Sequence, residues 1–198
     1  MPKKKSGKRA AKEFEARLDE IEDFLADINA ANLAAASVSR CYESAVIRTA
    51  IAFEKLMLSC LVTAINNDTS MLSQTTGIQF PKHLTDEVCE YLVVGDGYFD
   101  FRGWDGLLKV SKQFVGDTHW LVRVLKSKPS YKKTLNLLFT LRNYTAHESI
   151  QSKRRFRSEI GAKTVQLPGA WAKRQNRMGS LFSSLRSLAQ DIGTNAPY

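Results

Sequence analysis

Cysteine is scarce in this 198-residue chain: Cys41, Cys60 and Cys89 are far apart, odd in number and form no CxxC pair. They read as small buried hydrophobes of a reduced, cytosolic protein, not as a disulfide framework. Five Pro and eleven Gly are too few for a low-complexity or collagen-like chain, and an aromatic content of 10% argues against general disorder. No apolar run approaches the ~20 residues that a membrane span needs, so no integral membrane protein is expected. The opening stretch MPKKKSGKRAAKE is basic and has no apolar run behind it, so it does not read as a secretory signal. The motifs GxxxxGK[ST], GxGxxG after a strand and HExxH are missing, and Cys and His never fall at metal-ligand spacing. Carboxylates do not cluster in the C-terminal two-thirds, which disfavours a two-metal nuclease. Neither a metal nor a cofactor is expected.

Acids are nearly missing from one third of the chain. Residues 123–186 hold 15 Lys or Arg against Glu148 and Glu159 alone, a charge of +13, whereas the remainder carries −4. A one-sided positive field of this kind favours a polyanionic partner, with nucleic acid ahead of an acidic protein or membrane surface.

The hydrophobic pattern is helical almost throughout. Residues 1–12 carry six Lys or Arg and read as a flexible basic arm, followed by a single domain over 13–198. Phe14, Leu18, Ile21, Phe24, Leu25, Ile28 and Leu33 predict an amphipathic helix from Glu13 to about Ala36. The next segment, Ser37 to about Asn66, predicts the strongest helix. One apolar stripe runs from Val38 through Phe53 to Ala64, and a second runs through Ile47, Ile51, Leu58 and Ile65. So wide an apolar surface predicts a place at the centre of a bundle. Glu54 interrupts that belt and must be paired or line a polar cavity, since a stranded acid is costly. Residues 67–80 read as a loop, and Pro81 suits the start of a short helix to about Val94. The Gly- and aromatic-rich stretch 95–106 reads as an ordered loop. Further helices are expected over 104–114, 120–125, from Pro129 onward, and over 171–189. Residues 149–169 read as basic and irregular, with 165–168 a short extended piece. His83 and His119 fall in or beside loops and read as ordinary surface or core histidines. The expectation is an all-α bundle of five to seven helices with a long central helix.

One constellation carries chemistry: Arg142-Asn143-Tyr144-Thr145-Ala146-His147, closing the helix that Pro129 opens. An R-x(4–6)-H pair alone arises by chance about 0.6 times in this composition, and requiring Asn after the Arg lowers that to about 0.02. Cleaving RNA through its own 2′-OH needs a base for the hydroxyl proton, an acid for the leaving 5′-oxygen and a cation for the phosphorane. His147 can move protons near neutrality, and Arg142 offers a planar, permanent charge. Asn143 can orient the phosphate or the imidazole, and Glu54 can anchor Arg142 or fix the imidazole from the neighbouring helix. Five residues along a helix place Arg142 and His147 about 140° apart, so they diverge unless the helix bends or frays. Lys153, Arg154, Arg155 and Arg157, interleaved with Phe156, are candidates to hold an RNA backbone. The plainer reading is an Arg142–Glu54 pair that only satisfies a buried acid.

The Arg142-Asn143-xxx-His147 motif resembles that of the HEPN superfamily, many of whose members are metal-independent ribonucleases marked by R-x(4–6)-H with a polar residue after the Arg. AIAFEKLMLSCLVTAIN, residues 50–66, is similar to the long core helix of RiboL-PSP-type HEPN proteins, where an aromatic–Glu pair sits mid-helix; here that pair is Phe53-Glu54. The resemblance covers residues 15–190. It implies an HEPN-like bundle and an endoribonuclease whose products end in a 2′,3′-cyclic phosphate and a 5′-hydroxyl. Because one chain offers a single His in the motif, a homodimer would supply both proton-transfer groups. The setting it implies is a cytoplasmic toxin or antiviral-defence nuclease, with RNA as substrate and an antitoxin or regulatory protein as a further partner. One subgroup carries a Tyr two residues after the His, the target of a nucleotidyltransferase antitoxin. Ser149 stands there in this chain, a departure from that pairing. The competing expectations are a helical module that grips RNA or a nucleotide without cutting it, and a bundle that docks another protein.

Overall fold

The computed structural model describes residues 5–97, 99–100 and 102–198. Among them are ten α-helices, one 3₁₀ turn and no strand. The all-α class is as expected, but the helices are more numerous than five to seven because several are too short to show a period. They are α1 (Gly7–Ala30), α2 (Ala35–Asn67), α3 (Ser70–Thr76), α4 (Asp86–Val94) and α5 (Gly103–Val115). There follow α6 (Trp120–Lys126), α7 (Pro129–His147), α8 (Ile150–Glu159), α9 (Pro168–Ala172) and α10 (Arg177–Asn195).

The basic arm is shorter than the charge pattern suggested. Ser6 caps α1 by accepting the Arg9 N–H, and Gly7, Ala10 and Ala11 are buried. Lys5 ties the chain to α4 through its backbone N–H to Asp86 and its ammonium to Glu90 at 2.6 Å. Small residues let α1 lie close against α10, so residues 7–12 are helix, with Gly7, Ala10 and Ala11 in the core and Lys8, Arg9 and Lys12 exposed. Residues 1–4 of the predicted arm lie outside the described residues.

Helix α2 packs against α1, α4, α5, α7 and α9. Its stripe from Tyr42 through Phe53 and Met57 to Ala64 is buried as expected, with Phe14 edge-on to Phe53 at 6.1 Å. From Cys60 to Asn66 every residue is buried, because α3, α4 and α5 wrap that end. Val62, Ile65, Leu72, Cys89 and Phe114 form a second, smaller core there. The other end is less central than its pattern predicted: Ile51 is 46% exposed, and Ile47 and Leu58 are half-buried. Burial pushes the Cys60 thiol up to about 12 and the Cys89 thiol up to about 11, which leaves both inert as nucleophiles.

Two segments read as irregular contain helix. Ser70–Thr76 is α3, closed by Gly77 at φ 71°. Residues 150–159 are α8, and the piece expected to be extended runs into α9, whose Trp171 packs edge-on to Phe156 at 5.0 Å. Helix α4 starts at Asp86 behind a Thr85 cap and not at Pro81. The last helix is broken by a left-handed Gln175–Asn176 pair, so α10 begins at Arg177 and extends to Asn195.

His119 is a structural residue. Its Nδ1 accepts the Leu121 N–H at 3.3 Å, capping α6, and only an unprotonated nitrogen can do so. Burial, with a push from Arg123 and an opposing pull from Asp68, lowers its pKa from 6.5 to about 4. The unfolded chain therefore takes up a proton here before the folded one does. The stabilisation is full above about pH 6.5 and is lost steadily as pH falls toward 4. After allowance for partial solvent screening this is worth ~1–2 kcal/mol. His119→Ser, which keeps a cap without the titration, should lose less melting temperature than wild type between pH 7 and pH 4.5.

Candidate active site

Helix α7 brings the motif to the surface. Pro129 sets its first turn, and Tyr131, Leu135, Leu138, Leu141 and Tyr144 face the core. The Tyr131 hydroxyl donates to Asp191 at 2.5 Å, fastening α7 to α10. His147 is the last helical residue. Glu148 then takes a left-handed conformation at φ 44°, its N–H donating to the Tyr144 carbonyl, and reverses the chain. Ser149 caps α8, its Oγ accepting the Ser152 N–H at 3.1 Å. Ser152 and Phe156 are the buried anchors of α8, and Phe156 stacks on Tyr144 at 5.8 Å.

A cleft of about 290 Å³ opens around this reversal. Its walls include Arg142, Asn143, His147 and Arg155, together with Asp100, Arg102, Phe139, Thr140 and Gln151. Helix α7 is continuous through His147. The cleft instead wraps the end of the helix, so two residues that diverge around the axis still border one space.

Arg142 is held in place on several sides. Its guanidinium lies 3.8 Å from Glu54 and 3.9 Å from Asp100, and it donates to the Asn143 Oδ1 at 2.9 Å. The two carboxylate contacts are electrostatic pairs, too long for hydrogen bonds. Glu54 has only 13% of its side chain exposed. Burial raises its pKa, Arg142 pulls it back and Asp100 raises it further. The embedded acid thus pairs with the motif arginine, one of the two outcomes its position in α2 allowed, and it is not among the residues lining the cleft. Asn143 spends its carbonyl on Arg142.

Comparison of the chain with protein-family models, curated proteins and solved structures yields no match.

Of the four basic residues expected to hold RNA, Arg155 lines the cleft; Lys153, Arg154 and Arg157 are exposed on α8 but border other surface. Ser149, where a Tyr occurs in one HEPN subgroup, is occupied as a helix cap. Asp100 and Arg102 went unnoticed in the sequence. They sit in the aromatic, Gly-rich stretch before α5, where charged residues alternating with aromatics were the available signal. Among the described residues no three His, Cys, Asp or Glu gather to hold a metal ion.

Proposed function

We infer that the protein is a metal-independent endoribonuclease of HEPN type. The observation that carries this reading is the shared cleft, into which Arg142 and His147 both open beside two further arginines. In the reaction the 2′-oxygen attacks the adjacent phosphorus as one histidine, acting as base, takes the hydroxyl proton, and the bond to the 5′-oxygen breaks as a second, protonated histidine delivers a proton to it. Arg142 stabilises the extra charge on the equatorial oxygens, and Glu54, Asp100 and Asn143 keep its fork aimed. The products are a 2′,3′-cyclic phosphate and a 5′-hydroxyl.

A homodimer completes this scheme, since each chain brings one motif histidine. The exposed Ile51 and half-buried Ile47 lie on the same helix as Glu54 and support a partner surface there. The HEPN resemblance extends the reading to a cytoplasmic toxin or antiviral-defence enzyme controlled by an antitoxin or regulatory protein.

Digestion of RNA by the purified protein in EDTA tests the reading, with His147→Ala as control. Cleavage by wild type and none by the variant is the expected result. Equal cleavage by both removes His147 from the chemistry, and tight, salt-sensitive binding without cleavage favours the binding module instead. Glu54 acts through Arg142 and is a positioning residue. Glu54→Gln should lower kcat about tenfold with KM close to wild type, and Glu54→Asp should recover part of the loss.

A further inference from the structure

Three arginines line the cleft, and they come from three elements: Arg142 of α7, Arg155 of α8 and Arg102 at the N-cap of α5. Arg142 is engaged by Glu54, Asp100 and Asn143. Arg102 and Arg155 are exposed and have no hydrogen bond or ion pair among the described residues.

Their backbones are nevertheless anchored. Gly103, next to Arg102, holds φ 74° at a close approach where an added Cβ would lie 3.2 Å from the Asn136 Oδ1 and 3.4 Å from the Phe139 ring. The following N–H, of Trp104, donates to that same Asn136 oxygen at 3.0 Å. Arg102 is therefore carried on backbone pinned to α7. Arg155 stands between Ser152 and Phe156, the two buried anchors of α8. Helices α5 and α8 both pack on α7, so two uncommitted guanidiniums are presented to one space from two flanking supports.

A planar guanidinium without a carboxylate partner, carried on anchored backbone at the rim of a cleft, suits a phosphate oxygen pair. The volume of about 290 Å³ falls just short of the ~300–1,000 Å³ range of ligand clefts. A cleft of this size matches the bulk of one unstacked nucleotide better than that of a duplex, whose bases stay stacked and paired.

Building on the cleavage reading, we propose that Arg102 and Arg155 grip the phosphates on either side of the scissile one, making the substrate single-stranded RNA at least three phosphates long. Arg142 serves the reacting phosphate, and the other two arginines set register and length.

The test crosses substrate length with substitution. Steady-state kinetics are measured for wild type, Arg102→Gln and Arg155→Gln on a dinucleotide, which has only the scissile phosphate, on a 12-nucleotide single strand, and on that strand paired in a duplex. Each variant should raise KM on the 12-mer about tenfold, with a smaller change in kcat. The penalty should be several times larger on the 12-mer than on the dinucleotide, and the duplex should resist cleavage. Penalties equal on both lengths, unchanged KM on the 12-mer, or a duplex cut as fast as the single strand would overturn the proposal. If wild type cuts none of these RNAs, the cleavage reading fails separately, and fluorescence anisotropy on the 12-mer decides the arginine claim. Each substitution should then reduce the slope of log affinity against log salt by about 0.7, and an unchanged slope rejects it.

Discussion

Arg142→Ala and His147→Ala should each reduce RNA cleavage by at least about a thousandfold while leaving the fold intact. Proton transfer by a positioned side chain contributes ~10²–10⁴ in rate, and removing one preformed donor to a developing oxyanion costs ~10²–10³. In a composite dimer each substitution removes its group twice from one site, which places the expected loss in the upper part of those ranges. The double variant should be scarcely worse than either single one, since the two groups act on one transition state. Stability should change little. His147 is exposed, and Arg142 has a quarter of its side chain in solvent. Removing Arg142 does leave Glu54 without its cation, so that variant should melt slightly earlier than His147→Ala. Cleavage rates alongside thermal melts of the three variants check this, and additive losses would place the two residues in separate roles.

The second large effect lies far from the cleft, at Gly169. There α9 crosses α2 so closely that an added Cβ would stand 1.9 Å from the Ser39 carbonyl oxygen and 2.6 Å from its carbon. Both are backbone atoms of a packed helix and cannot swing aside. The Gly169 N–H also donates to Glu43 at 3.2 Å. Gly169→Ala must separate the two helices, an overpacking cost of about 3 kcal/mol. For a chain of this size that is a fall of roughly 6–12 °C in melting temperature. Gly97→Ala is the matched control: its nearest atom beyond chain neighbours would be 3.6 Å away, in ordinary contact, and its melting temperature should hardly move. Helix α9 also carries Trp171, which packs on Phe156 and so steadies α8 and Arg155. Cleavage at a temperature where Gly169→Ala is still folded should therefore fall as well. A melting temperature equal to wild type would show that α9 does not lie on α2 in this way.

The parts of the fold that could be read in the sequence are those with long periods. Helices α1, α2 and α7 bury seven, sixteen and six residues respectively, and their apolar spacing announces them. Helix α8 could not be read so. It is held by Phe156 and a buried serine, a single apolar residue amid Lys153, Arg154, Arg155 and Arg157, which gives no period. The seven residues of α3 and five of α9 are too few to display one. The arm was misjudged because Gly7, Ala10 and Ala11 carry little hydrophobic signal, although their smallness is what lets α1 approach α10. In the site, the need of Glu54 for a partner or a polar cavity was legible, since a carboxylate stranded on an apolar helix face is costly, and Arg142 was one candidate partner. The contributions of Asp100 and Arg102 depend on Asn136 pinning the start of α5 to α7, a contact between residues 32 apart in the chain. No local pattern encodes it.

The central claim is that the 2′-hydroxyl of RNA is the nucleophile in this cleft, with Arg142 and His147 acting on the phosphate beside it. Mass spectrometry of the fragment ends after digestion in EDTA tests it most directly, using one oligoribonucleotide and its counterpart with a single 2′-deoxy sugar at the cut. The account predicts 2′,3′-cyclic phosphate and 5′-hydroxyl ends from the first and an intact phosphodiester at that position in the second. Ends bearing 3′-hydroxyl and 5′-phosphate, or a cut at the deoxy position, would contradict it.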